Sequence, residues 1–290
     1  MKYIFLGTPE FAAIVLEKLI KANLLPEAAI CNPDKPVGRK QVITPPPVKE
    51  RIMNYELGIR NKIKILQPEN LKSYILNLKS FNADLFVVAA YSQILPKEIL
   101  EIPRLRTIGV HPSLLPKYRG PTPIQTAILN GDEKTGVSLF LIDEKIDHGK
   151  IIANNKYKIA NNDNYETLMR KLAELGADLL IETLPKFING EITPLTQDES
   201  QATYTKKFST KNAFIEPQDL EKAGNQGGEV AIEIDRKIRA LNPEPGVWTT
   251  VKNKRIKLLE VDLTGGKLKL TKIQLEGKIP TTSFRWSDIQ

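Results

Sequence analysis

Through the first two thirds of this chain, apolar residues gather in short unbroken runs, each separated from the next by segments of helical spacing or by loops. Tyr3, Ile4, Phe5 and Leu6 form the first run, which stops at Gly7. A run with no polar side predicts a strand buried on both faces. Thr8 then reads as an N-cap, Pro9 as a first helical position and Glu10 as an acid at the positive helix end. Phe11, Val15, Leu16 and Leu19 share one face of the helix that follows. Residues 28–31, 63–66, 84–90 and 107–111 predict further strands, and 71–78 a helix. Another helix opens at Thr122-Pro123 and closes at Asn130-Gly131. Strands are expected at 137–143 and 150–159. A polar cluster at 161–164 then caps a long helix carrying Leu168, Leu172, Leu175, Leu179 and Leu180.

This alternation predicts an α/β, Rossmann-like domain: a mostly parallel sheet with helices on both faces. In such sheets ligands bind beyond the carboxyl ends of the strands. Residues 32–48 are rich in proline and basic residues without periodicity, and read as a loop. The texture changes after residue 189. Residues 190–203 read as a linker between a domain at 1–189 and a smaller one at 204–290. The latter has a helix over 230–241 and alternating runs at 248–251, 256–261 and 268–275, with Gly265-Gly266 as a hairpin signal. A small β-rich, OB-like domain is the expectation.

Charge sharpens this division. The chain of 290 residues has a formal net charge of +8. From Thr203 onward 16 Lys and Arg face 11 Asp and Glu, so the smaller domain holds more than half of the surplus. That points to an anionic partner, nucleic acid first, against the plainer reading of a lysine-rich solvated surface. One cysteine, Cys31, excludes an intrachain disulfide and fits the reducing cytoplasm. With two histidines beside it, no metal site is expected. No signal peptide and no apolar run of membrane-spanning length is visible.

Two residues stand out chemically. His111 lies between a strand end and a turn bracketed by Pro112 and Pro116, a stiff frame for an imidazole. Asp147 follows another strand, beside His148 and Gly149. Singly, a histidine at a strand end and an aspartate in a glycine turn are common structural residues. In contact, the carboxylate would orient the imidazole and favour its charged form. His148 reads as a loop residue. The Gly7 turn lacks G-x-G-x-x-G, and there is no G-x-x-x-x-G-K-[ST] loop or G-x-S-x-G elbow. Lys35, Arg39 and Lys40 could clamp phosphates, or simply belong to a solvated loop.

The block His111-Pro112-Ser113-Leu114-Leu115-Pro116-Lys117-Tyr118-Arg119-Gly120, followed by Pro123-Ile124-Gln125, resembles the signature of the folate-dependent formyltransferases, and Asp147 falls where their catalytic aspartate falls. The likeness to the tRNA-acting branch runs over nearly the whole chain. It includes Phe5-Leu6-Gly7-Thr8-Pro9-Glu10-Phe11, the loop from Pro33 to Lys40, Ala90-Tyr91, Ile94-Leu95-Pro96, Thr203-Tyr204 and Arg239-Ala240-Leu241-Asn242-Pro243. The resemblance implies formyl transfer from 10-formyltetrahydrofolate to the amino group of methionine on initiator tRNA, by a monomer. It places Ser113, Leu114, Leu115, Pro116, Tyr91 and Ile94 at the folate. Lys35, Arg39 and Lys40 would lie at the acceptor stem, and the C-terminal domain on the tRNA backbone. One departure is chemical: Gly109 stands where the family carries an asparagine oxyanion donor. Ser92, where the family has glycine, is a candidate substitute. The C-terminal domain is also short after Val261 by the family's measure. Two alternatives therefore stand beside this reading: a sugar-nucleotide N-formyltransferase, and a tRNA-binding homologue impaired by Gly109.

Overall fold

The computed structural model describes residues 1–38 and 40–283. In chain order its elements are β1 (Tyr3–Gly7), α1 (Glu10–Lys21), β2 (Ala28–Ile30), β3 (Lys35–Val37), β4 (Val42–Thr44), α2 (Pro47–Met53), α3 (Leu57–Arg60), β5 (Lys64–Leu66), α4 (Ile75–Ser80), β6 (Leu85–Ala89), α5 (Lys97–Leu100) and β7 (Thr107–His111). They continue with α6 (Pro123–Leu129), β8 (Lys134–Leu141), β9 (Ile151–Lys158), α7 (Tyr165–Ile188), α8 (Pro217–Asn225), α9 (Glu229–Leu241), β10 (Trp248–Val251), β11 (Lys254–Thr264) and β12 (Lys267–Leu275). The chain forms two compact units: residues 1–120, 134–158 and 169–204, and residues 121–133, 159–168 and 205 onward.

In the first unit seven strands form one sheet in the order β5-β2-β1-β6-β7-β8-β9. The first five are parallel; β8 runs antiparallel to β7, and β9 antiparallel to β8. Every residue of β1, β6 and β7 is buried, so both faces of the sheet centre are covered, as the unbroken apolar runs predict. The pleat sends Ile4, Leu6, Ala28, Ile30, Phe86 and Val88 into one cluster with Leu71, Leu78 and Ile99. Fully burying a side chain of the larger kind contributes about 1.5–3 kcal/mol. Gly7 lets α1 leave the sheet at once, since a Cβ there would lie 2.7 Å from the Ala89 carbonyl oxygen.

Residues 32–48 hold more structure than the expected loop. β3 and β4 pair as a small antiparallel hairpin, and α2 begins at Pro47. All of β3 and most of β4 are exposed, and Pro36 lies inside β3. A two-stranded ribbon with no buried side leaves no alternation to read, and its proline argues against a strand.

The second unit contains the antiparallel sheet β10-β11-β12. Gly265 and Gly266 have φ of +59° and +77°, the left-handed pair that a two-residue hairpin demands. Helix α9 buries Ala231, Ile234, Ile238 and Leu241 along one stripe and packs on α6, α8 and β11. Among the described residues no helix is long and apolar enough to cross a membrane.

Candidate active site

Strand β7 delivers the first candidate group, His111. Its pleat puts Gly109 and His111 on one face and Ile108 and Val110 on the other, where Val110 packs on Gly176 of α7. His111 is 7% exposed. Its Nε2 lies 2.9 Å from the Tyr118 carbonyl oxygen. A carbonyl only accepts, so Nε2 carries the proton and donates, and Nδ1 is left facing Asp147. Tyr118 has φ of +61°, and its own N–H donates to the Thr203 hydroxyl 2.8 Å away.

Asp147 arrives from the turn after β8. Its Oδ2 lies 3.6 Å from His111 Nδ1 and accepts the Gly120 N–H at 2.7 Å. The pair is thus within ion-pair reach and slightly beyond a good hydrogen bond. Asp147 itself has φ of +47°. Gly149 passes so close over the Leu141 carbonyl that any side chain would collide with it. The turn glycine and the carboxylate therefore have separate tasks. His148, adjacent in sequence, is bound elsewhere: its Nδ1 lies 2.6 Å from Asp143 and its Nε2 3.5 Å from Glu199.

Between these residues the signature block forms a tight turn. Ser113 is fully buried, and its hydroxyl donates to the Lys117 carbonyl at 2.6 Å. The Ser138 hydroxyl donates to the Ser113 carbonyl at 2.8 Å and accepts the Leu115 N–H at 3.0 Å. Ser113 therefore shapes the loop through its side chain. Leu115 is buried, while Leu114 packs over Gly136 and Leu114 and Pro116 stay partly open. Tyr91 is half-buried against the apolar cluster, and its hydroxyl oxygen is buried with no hydrogen-bond partner among the described residues; burial pushes its pKa up to about 12. Ile94 is exposed. Ile142 touches the same cluster and also borders Gly109, where an added Cβ would meet its Cγ1 at 3.1 Å. The Tyr91 side and the His111 side are thus joined on one face of the sheet.

Gly109 is not an open vacancy. It pairs with Phe140 across β7 and β8, and a Cβ on Gly109 would run into the Phe140 ring. That ring is 3% exposed and meets the His111 ring edge-on, with centroids 6.4 Å apart. The space an asparagine would take is filled by phenylalanine. Ser92 is hydrogen-bonded to the Asn32 side chain at 2.9 Å.

The β3–β4 hairpin presents Lys35, Lys40, Val37, Val42 and Ile43 to solvent. Arg39 lies outside the described residues. The hairpin root is pinned by Lys49, which donates to both Asp34 oxygens at 2.9 and 2.7 Å and to Gln67 at 2.9 Å. The Lys49 ammonium, then the Gln67 amide, hold the Asp34 carboxyl below the usual carboxylate range.

Composition gave no sign of the strap at residues 195–204. Leu195 exchanges backbone bonds with Ile151, and Thr203 bonds Pro116 and Arg119. Between them the Gln197 amide N–H groups donate to the carbonyls of Asp147 (2.9 Å) and Gly149 (2.7 Å). Its oxygen accepts from Arg119 Nε and Nη2, at 3.1 and 2.8 Å. Arg119 is fully buried and also binds Glu199 and Tyr204.

Known proteins with this arrangement bear on its chemistry. The family model described as formyl transferase matches residues 1–184, and that of the formyl transferase C-terminal domain matches 229–283. The methionyl-tRNA formyltransferase of Caldicellulosiruptor saccharolyticus is 41% identical over 91% of this chain and 80% of its own length. Among solved structures, the methionyl-tRNA formyltransferase from Clostridium thermocellum superposes with a TM-score of 0.60 at 19% identity, covering 95% of this chain and 98% of that one. The N-formyltransferase from Helicobacter canadensis, solved in complex with folinic acid and dTDP-3-aminofucose, has a TM-score of 0.62 at 22% identity, covering 96% of each chain. At these identities the two structures speak for the fold, whereas the family models and the Caldicellulosiruptor relative speak for descent: the chain belongs to the formyl transferase family.

Proposed function

We propose that this chain moves the formyl group of 10-formyltetrahydrofolate onto the α-amino group of methionine carried by initiator tRNA. The observation that carries the reading is His111 beside Asp147, at 3.6 Å, at the carboxyl end of β7. The donor supplies a formyl carbon open to attack by an amine. A protonated His111, oriented by Asp147 on one side and the Tyr118 carbonyl on the other, steadies negative charge gathering on the formyl oxygen. Asp147, open to solvent at its edge, takes up the proton that the amine loses, and the bond from the formyl carbon to N10 of the donor breaks as that nitrogen gains a proton, releasing tetrahydrofolate. The residues fit a folate: Tyr91 offers a buried hydroxyl without a partner among the described residues, and Leu114, Ile142 and Ile94 supply apolar surface for a flat ring. On this reading residues 1–189 bind the donor and catalyse, 190–203 connect while lying along that catalytic unit, and 204–290 hold the tRNA backbone. The chain works as a monomer in the cytoplasm.

Purified chain with 10-formyltetrahydrofolate, given charged initiator tRNA or an amino-sugar nucleotide in separate reactions, tests the choice of acceptor. Formylated methionine on the tRNA alone is expected. Product on the sugar alone overturns the reading, and tRNA binding without product makes the chain an impaired homologue.

The β3–β4 hairpin gives a second test. If Lys35 and Lys40 each meet a phosphate, the Lys35→Ala and Lys40→Ala variants should weaken tRNA binding with little change in folate affinity. Each should also lower the slope of log affinity against log salt by about 1. An unchanged slope in titrations at several salt concentrations removes the hairpin from the tRNA interface.

A further inference from the structure

We propose that Gln197 is a positioning residue for formyl transfer, acting through Asp147; this rests on the function just proposed for the His111–Asp147 pair. Each member of that pair is held by the loop that carries the signature block: His111 by the Tyr118 carbonyl, Asp147 by the Gly120 N–H. The spacing between them therefore depends on how the 116–120 loop and the 147–149 turn are fixed to one another. The strap makes that connection. At one end Leu195 is paired with Ile151; at the other, Thr203 N–H donates to the Pro116 carbonyl, the Thr203 carbonyl accepts from Arg119 N–H at 2.8 Å, and its hydroxyl accepts from Tyr118 N–H. Gln197 is the side chain in the middle. It is 6% exposed and fixes the turn by the carbonyls of Asp147 and Gly149, on either side of His148, while its oxygen is fixed by Arg119, a member of the 116–120 loop.

The amide is suited to this in a way that neither a carboxylate nor an apolar side chain is. It donates two N–H bonds to carbonyls on one side and accepts from a guanidinium on the other. Asp147 sits in the left-handed region, at φ of +47°, and a residue there returns readily to extended backbone unless its surroundings hold it. Gln197 supplies that restraint from behind the turn, with its polar atoms committed to Arg119 and the two carbonyls.

Gln197→Glu keeps the acceptor for Arg119 and removes both donors to the turn, so it cuts the brace at the Asp147 end alone. The expected result is a kcat lowered tenfold or more, KM for folate and for tRNA within about twofold, and a modestly lowered thermal midpoint in a chain that still folds, since two buried carbonyls lose their donors. Gln197→Met should do the same with a midpoint lower still, because Arg119 then loses one of its acceptors as well. The decisive measurement is the cycle with Asp147→Asn: a residue that acts through Asp147 adds nothing once Asp147 is disabled, so the double variant should match Asp147→Asn. Losses that multiply, a normal kcat in Gln197→Glu, or unfolding of both Gln197 variants each overturn the proposal. A strongly impaired Asp147→Asn beside a normal Gln197→Glu overturns the proposal and leaves the site reading intact. A normal Asp147→Asn overturns both.

Discussion

Asp147→Asn should lower the rate of formyl transfer by about a thousandfold and leave the fold in place. The substitution is conservative for structure. The asparagine oxygen still accepts the Gly120 N–H now held at 2.7 Å, and the side chain is partly exposed, so little packing changes. What disappears is the negative charge 3.6 Å from His111 Nδ1, the partner that on the proposed reading orients the ring as charge builds on the formyl oxygen. His111→Ala should cost a similar factor in kcat but also cost stability, because the Tyr118 carbonyl and the Phe140 ring lose their neighbour inside a nearly closed site. A buried acceptor left without a partner costs about 1–3 kcal/mol. The two losses should not multiply if ring and carboxylate act as one unit, as proposed. Saturating single-turnover rates and thermal unfolding of the two single variants and of the double variant check this; turnover near that of the parent in Asp147→Asn ends the catalytic reading.

The parts of this picture that were legible in the sequence share a physical cause. A strand buried on both faces must be apolar at every position, and the runs at 3–6, 84–90 and 107–111 correspond to fully buried strands. Hairpin glycines are equally direct, since Gly265 and Gly266 take a backbone conformation that other residues resist. The β3–β4 ribbon was not legible because it buries nothing, and α8 was missed because only Leu220 and Ala223 mark its inner face. In the site, His111 and Asp147 could be named from the family block, yet their 3.6 Å approach depends on which strands become neighbours. Gln197 left no trace at all. Its partners on the Asp147 side are carbonyls of the backbone, which every residue possesses, and it lies in a polar stretch that composition assigns to a linker. Arg119 gave no sign of its burial either, because nothing in the signature block shows that its guanidinium turns inward to Gln197 and Glu199.

Restoring the family asparagine by Gly109→Asn should fail by itself and succeed only together with Phe140→Leu. From the sequence, a missing oxyanion donor suggests that supplying one raises the rate. The structure changes that expectation, since the first carbon of any side chain at Gly109 would enter the Phe140 ring, and Ile142 closes in at 3.1 Å. Overpacking of this kind costs about 1–3 kcal/mol and moves neighbours off their rotamers. Here the displaced neighbour is the ring that rests edge-on against His111. The single variant should therefore be less stable than the parent and no faster. Phe140→Leu removes the ring atoms that collide while keeping an apolar side chain, so the double substitution exchanges nearly equal volumes. An amide could then sit beside His111 on the same face of β7, where one additional oxyanion donor is worth about a hundred- to a thousandfold in rate. Rates for the two single variants and the double form a closed cycle. A double variant faster than Phe140→Leu by tenfold or more would show that glycine and phenylalanine together replaced a donor with packing. A double variant no faster than Phe140→Leu would mean that the imidazolium already holds the formyl oxygen unaided, and that Phe140 serves chiefly to keep that ring in place.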